Sequence, residues 1–81
     1  MFQNKFKAFP NPAENSFHIK FHDTNDFINL NIINALGKSI WFKDYTNTYQ
    51  IDLNLNQPSG IYFIKLTDKS NKTSYIRLIK K

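Results

Sequence analysis

Phe17-His18-Ile19-Lys20-Phe21-His22 alternates apolar and polar residues at every step. A period of two places Phe17, Ile19 and Phe21 on one side of an extended chain and His18, Lys20 and His22 on the other, which is how a half-buried strand reads. The alternation returns at Ile28, Leu30 and Ile32 against Asn29 and Asn31, and again at Tyr49, Ile51, Leu53 and Leu55 against Gln50, Asp52 and Asn54. Helical spacing fits none of these runs. Ser39 to Tyr45, Gly60 to Thr67 and Thr73 to Lys80 carry apolar residues at both parities, which predicts central strands covered on both faces. Lys5 to Phe9 reads as one more short strand.

Turn chemistry separates the runs. In Pro10-Asn11-Pro12 two rings fix φ near −65° and push Phe9 and Asn11 out of the helical region, so a stiff extended corner is expected. Ala35-Leu36-Gly37-Lys38 reads as a hairpin loop with Gly37 at a left-handed position. Gln57-Pro58-Ser59-Gly60 fits a type I turn, and Asp68 to Lys72 a polar hairpin tip. About seven short strands with turns every roughly 8–12 residues predict an all-β fold, a small antiparallel immunoglobulin-like β-sandwich.

The 81 residues suffice for a single domain, 1–81, with a modest core. Cysteine is absent, which excludes disulfides, thiolate metal sites and thiol catalysis. Two glycines cannot write a dinucleotide fingerprint or a phosphate loop. The longest apolar run, Ile61-Tyr62-Phe63-Ile64, is far shorter than a membrane helix, and Met1 to Pro12 holds no leader-like apolar stretch. Membrane insertion is therefore not expected. If the chain acts beyond the inner membrane, a leader upstream of it must carry it there, so Met1 is compatible with the edge of a fragment.

No constellation points to catalysis. His18 and His22 stand roughly 13 Å apart on a strand, too far for one ion, and read as solvated polar-face residues. Asp23-Thr24-Asn25-Asp26 resembles the start of a calcium loop, but Ile28 and Asn34 occupy the positions that need glycine and glutamate, so a plain turn is expected. Asn71-Lys72-Thr73 is a formal glycosylation sequon. Glu14, Asp23, Asp26, Asp44, Asp52 and Asp68 show no paired acid and base spacing, and no Gly-x-Ser-x-Gly elbow occurs. The chain reads as a non-enzyme without cofactor or metal. Its net charge of +5 raises nucleic acid as a partner. Lys20, Lys43, Lys65 and Arg77 nevertheless sit singly in different strands with acidic residues between, so a diffuse positive surface is expected and no nucleic-acid partner. Only Arg77 with Lys80-Lys81 concentrates charge.

Taken in order, the local features resemble a known family. Phe9-Pro10-Asn11-Pro12-Ala13 before an alternating strand, Ile33-Asn34-Ala35-Leu36-Gly37-Lys38, Ile51-Asp52-Leu53, then Ser59-Gly60-Ile61-Tyr62-Phe63-Ile64-Lys65-Leu66 and a last strand ending in lysine look like the type A C-terminal sorting domain of type IX secretion cargo. The resemblance implies a bacterium of the Bacteroidota, an immunoglobulin-like sandwich, and the tail of a larger cargo protein. It further implies partners: the type IX translocon, a sortase-like peptidase that removes the domain outside the cell, and a covalently attached N-terminal cargo. The cargo would reach the medium or the cell surface through the periplasm and outer membrane. The family's motif positions fall on Pro10, Asn11, Pro12, Gly37, Lys38, Gly60, Tyr62, Lys65 and Lys80, with Lys81 beyond. In Ser74-Tyr75-Ile76-Arg77 the family's usual lysine is absent and Arg77 is expected to serve instead.

Physically, a signal shared by unrelated cargos must be legible without them, and a rigid sandwich with an exposed terminal hairpin meets that demand. The hairpin of Gly60–Thr67 and Thr73–Lys80 is expected to be the surface read, by backbone pairing with a partner strand and by Lys80 and Lys81 against acidic groups. It reads equally as the central core. Gly60, Tyr62 and the proline corner are expected to shape the fold. Two alternatives remain: an immunoglobulin-like adhesion or carbohydrate-contacting module in which exposed Trp41 or tyrosines stack on a ligand, and a basic nucleic-acid binder.

Overall fold

The computed structural model describes residues 6–81, so the expected start of the first strand at Lys5 lies outside the described residues. Five strands follow one another: β1 (Phe6–Phe9), β2 (Ser16–Asn34), β3 (Ser39–Asn54), β4 (Gly60–Asp68) and β5 (Thr73–Lys80), with no helix among the described residues. The seven expected strands become five because two pairs of them fuse. The runs around Phe17 and Ile28 form β2, and those around Ile40 and Ile51 form β3.

The reason is an irregularity midway along β2. Lys20 pairs with Gln50 and Asn25 with Thr48, so five steps along β2 are matched by two along β3. The surplus is odd, and it switches the buried parity from Phe17, Ile19 and Phe21 to Ile28, Leu30 and Ile32. Asp23-Thr24-Asn25-Asp26, expected as a turn, stays within the extended chain and carries it from one layer to the other.

All strand pairs are antiparallel. One edge of β2 pairs with β3 over most of its length; the other pairs first with β1 and then with β4, whose far edge takes β5. A single hydrogen-bonded sheet therefore folds over on itself. The first half of β2, the end of β3 and β1 face the second half of β2, β4 and β5 across one apolar cluster that includes Phe17, Ile19, Ile51, Leu30, Ile64 and Leu78. Phe17, Ile19, Leu30, Ile64, Leu66 and Leu78 are completely buried, and burying each side chain contributes about 1.5–3 kcal/mol before the entropy of ordering it. Ser74 is the buried polar exception, its Oγ lacking a hydrogen-bond partner among the described residues.

The turns follow the local chemistry. Gly37 sits at φ +85°, and the Asn34 carboxamide accepts from the backbone of Leu36 (3.0 Å) and Lys38 (2.9 Å). At the last hairpin tip Asp68 Oδ1 accepts from Ser70 and Lys72, and Asn71 takes the left-handed conformation at φ 62°.

Candidate functional site

Pairing across β4 and β5 fixes which side chains share a face. Tyr62 lies opposite Leu78, Ile64 opposite Ile76 and Leu66 opposite Ser74, and these point inward. Phe63 opposite Arg77 and Lys65 opposite Tyr75 therefore point outward, joined from β2 by Ile33 beside Phe63 and Asn31 beside Lys65. No second layer among the described residues covers this outer face: Tyr75 is 60% exposed, Ile61 41% and Phe63 36%. The expectation that Ser39–Tyr45, Gly60–Thr67 and Thr73–Lys80 are covered on both sides fails here. β3 and β5 lie at the rims of the layer, and their second set of apolar side chains meets solvent.

A shallow groove of about 400 Å³ runs over this face, lined by Ile33, Asn34, Ala35, Gly37, Phe63 and Tyr75. Its lining is almost wholly apolar, and Lys65 and Arg77 stand beside Phe63 and Tyr75 in the pairing register. Neither cation has an ion-pair partner among the described residues. Gly37 forms part of the lining and exposed Lys38 follows it in the chain. Three expected signal positions, Gly37, Lys65 and Arg77, thus share one surface, and Lys38 adjoins Gly37 in the chain. Its apolar members, Ile33, Phe63 and Tyr75, were missed in the sequence, and apolar residues at both parities were their signal.

The remaining positions build a clasp. The corner before β2, with both Phe9-Pro10 and Asn11-Pro12 peptides cis, lies along the outer edge of β5. The Asn11 side chain donates from Nδ2 to the Arg77 carbonyl (2.8 Å) and accepts at Oδ1 from the Ile79 amide (3.0 Å), standing in for a backbone residue of a neighbouring strand. Buried Ala13 continues the contact: its amide donates to the Ile79 carbonyl at 2.7 Å, and its carbonyl accepts from the Lys81 amide at 2.8 Å. Pro10 and Pro12 flank Asn11 in this position and are themselves exposed. Asn11 and Ala13 thus occupy the β5 edge from the Arg77 carbonyl to the Lys81 amide, which leaves Thr73, Tyr75 and the Arg77 amide as the outward backbone groups without a partner among the described residues. Lys80, half-buried, lies opposite Gly60, and Lys81 is exposed. Tyr62 is buried and its hydroxyl donates to the Pro58 carbonyl at 2.6 Å, pinning the turn that leads into Gly60.

Elsewhere the charged groups are local. Lys69 Nζ lies 2.6 Å from Asp26 Oδ2, and its hydrogen bond and charge hold that carboxylate below its usual range while raising the ammonium. Hydrogen bonds from Gln50 and then His18 likewise lower Asp52. His18 Nδ1 donates to Asp52 Oδ1 at 2.7 Å, and the His22 ring lies 3.4 Å from Asp23. No three His, Cys, Asp or Glu side chains among the described residues are placed to hold a metal ion.

Residues 7–81 match the secretion system C-terminal sorting domain family. An endo-acting ulvan lyase from Formosa agariphila is 37% identical over 76 residues, which takes in 93% of this chain and 14% of the lyase. This chain therefore spans only a small part of that relative's length. A solved structure from Bacteroides vulgatus, described as an immunoglobulin-like β-sandwich, superposes with a TM-score of 0.75 at 17% identity, covering 95% of this chain and 88% of that one. The likeness shows the sandwich fold. The match over almost every residue, including the corner, both glycine turns and the last hairpin, shows that the chain belongs to the secretion system C-terminal sorting domains of type IX export.

Proposed function

We propose that this domain is the non-catalytic tail by which the type IX translocon recognises an attached cargo and carries it across the outer membrane, and that the reading surface is the outer face of β4 and β5. One observation carries the proposal: among the described residues, an apolar groove at Phe63 and Tyr75 lies uncovered, with Lys65 and Arg77 lacking ion-pair partners beside it and neither aromatic belonging to the buried core. Exposed apolar surface bordered by charge is characteristic of interaction sites. A partner reading it would present apolar side chains next to carboxylates. The relative's matching segment belongs to an endo-acting ulvan lyase, which supports a secreted enzyme as cargo. Removal of the domain by a sortase-like peptidase and release or surface attachment of the cargo complete the proposed route.

The test fuses residues 1–81 behind a periplasm-directed reporter in a type IX-competent host. The intact fusion should reach the cell surface or medium. Lys65→Glu combined with Arg77→Glu, or Phe63→Ser alone, should leave it in the periplasm with the purified domain still folded. Export of the charge-reversed fusion at the wild-type level would sink the surface assignment, and periplasmic retention of the intact fusion would sink the sorting role.

A further inference from the structure

A second concavity lies away from the groove, where the first residues of β3 approach the segment that follows its end. It encloses about 340 Å³, near the lower end of the ~300–1,000 Å³ typical of small-molecule sites. Ile32, Ile40 and Leu53 contribute apolar lining, and Trp41, 37% exposed, forms part of the wall. Asp52, Asn54, Asn56 and Gln57 supply the polar remainder. The Asp52 carboxylate itself turns to the outer face, where its Oδ1 accepts from the His18 ring at 2.7 Å and from Gln50 Nε2 at 3.0 Å. The side-chain carboxamides of Asn54, Asn56 and Gln57 have no hydrogen-bond partner among the described residues.

We infer that this cleft binds a neutral pyranose unit of a glycan, with the sugar's C–H face against the Trp41 indole and its hydroxyls hydrogen-bonded to the carboxamides of Asn56 and Gln57. The combination selects the ligand class. An indole offers a flat apolar face with one polar edge. Carboxamides donate and accept at once, as sugar hydroxyls do, whereas a carboxylate only accepts. A lipid chain has no use for open amides, and a nucleotide or acidic sugar would bring negative charge to a cleft with no cation in its lining. The site shares no lining residue with the groove on β4 and β5, and its occupancy does not depend on export.

Trp41 is the chain's one tryptophan, so its emission reports this cleft without labelling. The 81-residue chain is titrated with cellohexaose, laminarihexaose, mannohexaose and an oligogalacturonate, following emission and binding heat. At least one neutral hexaose should give a saturable change. Calorimetry on variants should show affinity reduced about tenfold in Trp41→Ala and Asn56→Ala, and within about twofold of wild type in Phe42→Ala, whose side chain lies on the outer face. Asn56→Ala keeps the test decisive should Trp41→Ala fail to fold. No response to any neutral hexaose up to about 10 mM, binding of the oligogalacturonate alone, or equal losses in Phe42→Ala and Asn56→Ala would each overturn the inference.

Discussion

Asn11 does with a side chain what a strand does with its backbone, and its removal should show in stability. Asn11→Ala deletes a donor to Arg77 and an acceptor from Ile79, which should lower unfolding free energy by about 1–2 kcal/mol in urea titration. Asn11→Asp keeps the acceptor but sets a carboxylate oxygen against the Arg77 carbonyl, so it should be no better than alanine. The two glycines make a separate case. Gly37 at φ +85° and Gly60 at φ +153° both lie where a side chain is strained, and nothing stands within 4 Å of an added Cβ at either. Alanine at each position should cost about 1–2 kcal/mol from backbone conformation alone, without the larger loss a clash would add. Ser74→Ala should act in the opposite direction. It removes a buried hydroxyl that has no partner among the described residues, so stability should hold or rise by up to about 1 kcal/mol in the same titration.

At the level of strands, the sequence reveals faces better than boundaries. Phe17, Ile19 and Phe21, and then Ile28, Leu30 and Ile32, are legible as buried rows because each alternates cleanly with polar neighbours. Their fusion into one strand is not legible, since Asp23 to Asp26 has turn composition and falls at the irregularity, where only Asn25 pairs with β3. The turns at Gly37 and at Asp68–Lys72 could be read because their chemistry is local. The exposed groove could not: Phe63 and Tyr75 look like residues of a doubly covered strand, and sequence does not say that the molecule lacks a second cover for them. The clasp was half legible. Two prolines announce a corner, but nothing local reveals that Asn11 reaches a strand 66 residues further on.

Across the whole molecule, electrostatics is mild and confined to the surface. Asp52 and Asp26 have folded-state pKa values below their usual range, the first through hydrogen bonds from Gln50 and His18, the second through Lys69. A depressed carboxylate contributes stability above its unfolded value and loses it as pH falls through the folded one. Urea midpoints should therefore hold steady from neutral pH to the ordinary carboxylate range and decline below it. Asp52→Asn should flatten part of that decline, and added salt should weaken the share due to Asp26 and Lys69, both exposed.

The contact between Ala13 and the end of β5 is parallel. If the chain is drawn from its amino-terminal side while the final strand is gripped near Lys81, the bonds at Asn11 and Ala13 stretch together in shear instead of parting one at a time. A tow line fastened in that way resists peeling, so the label stays legible while its load is hauled.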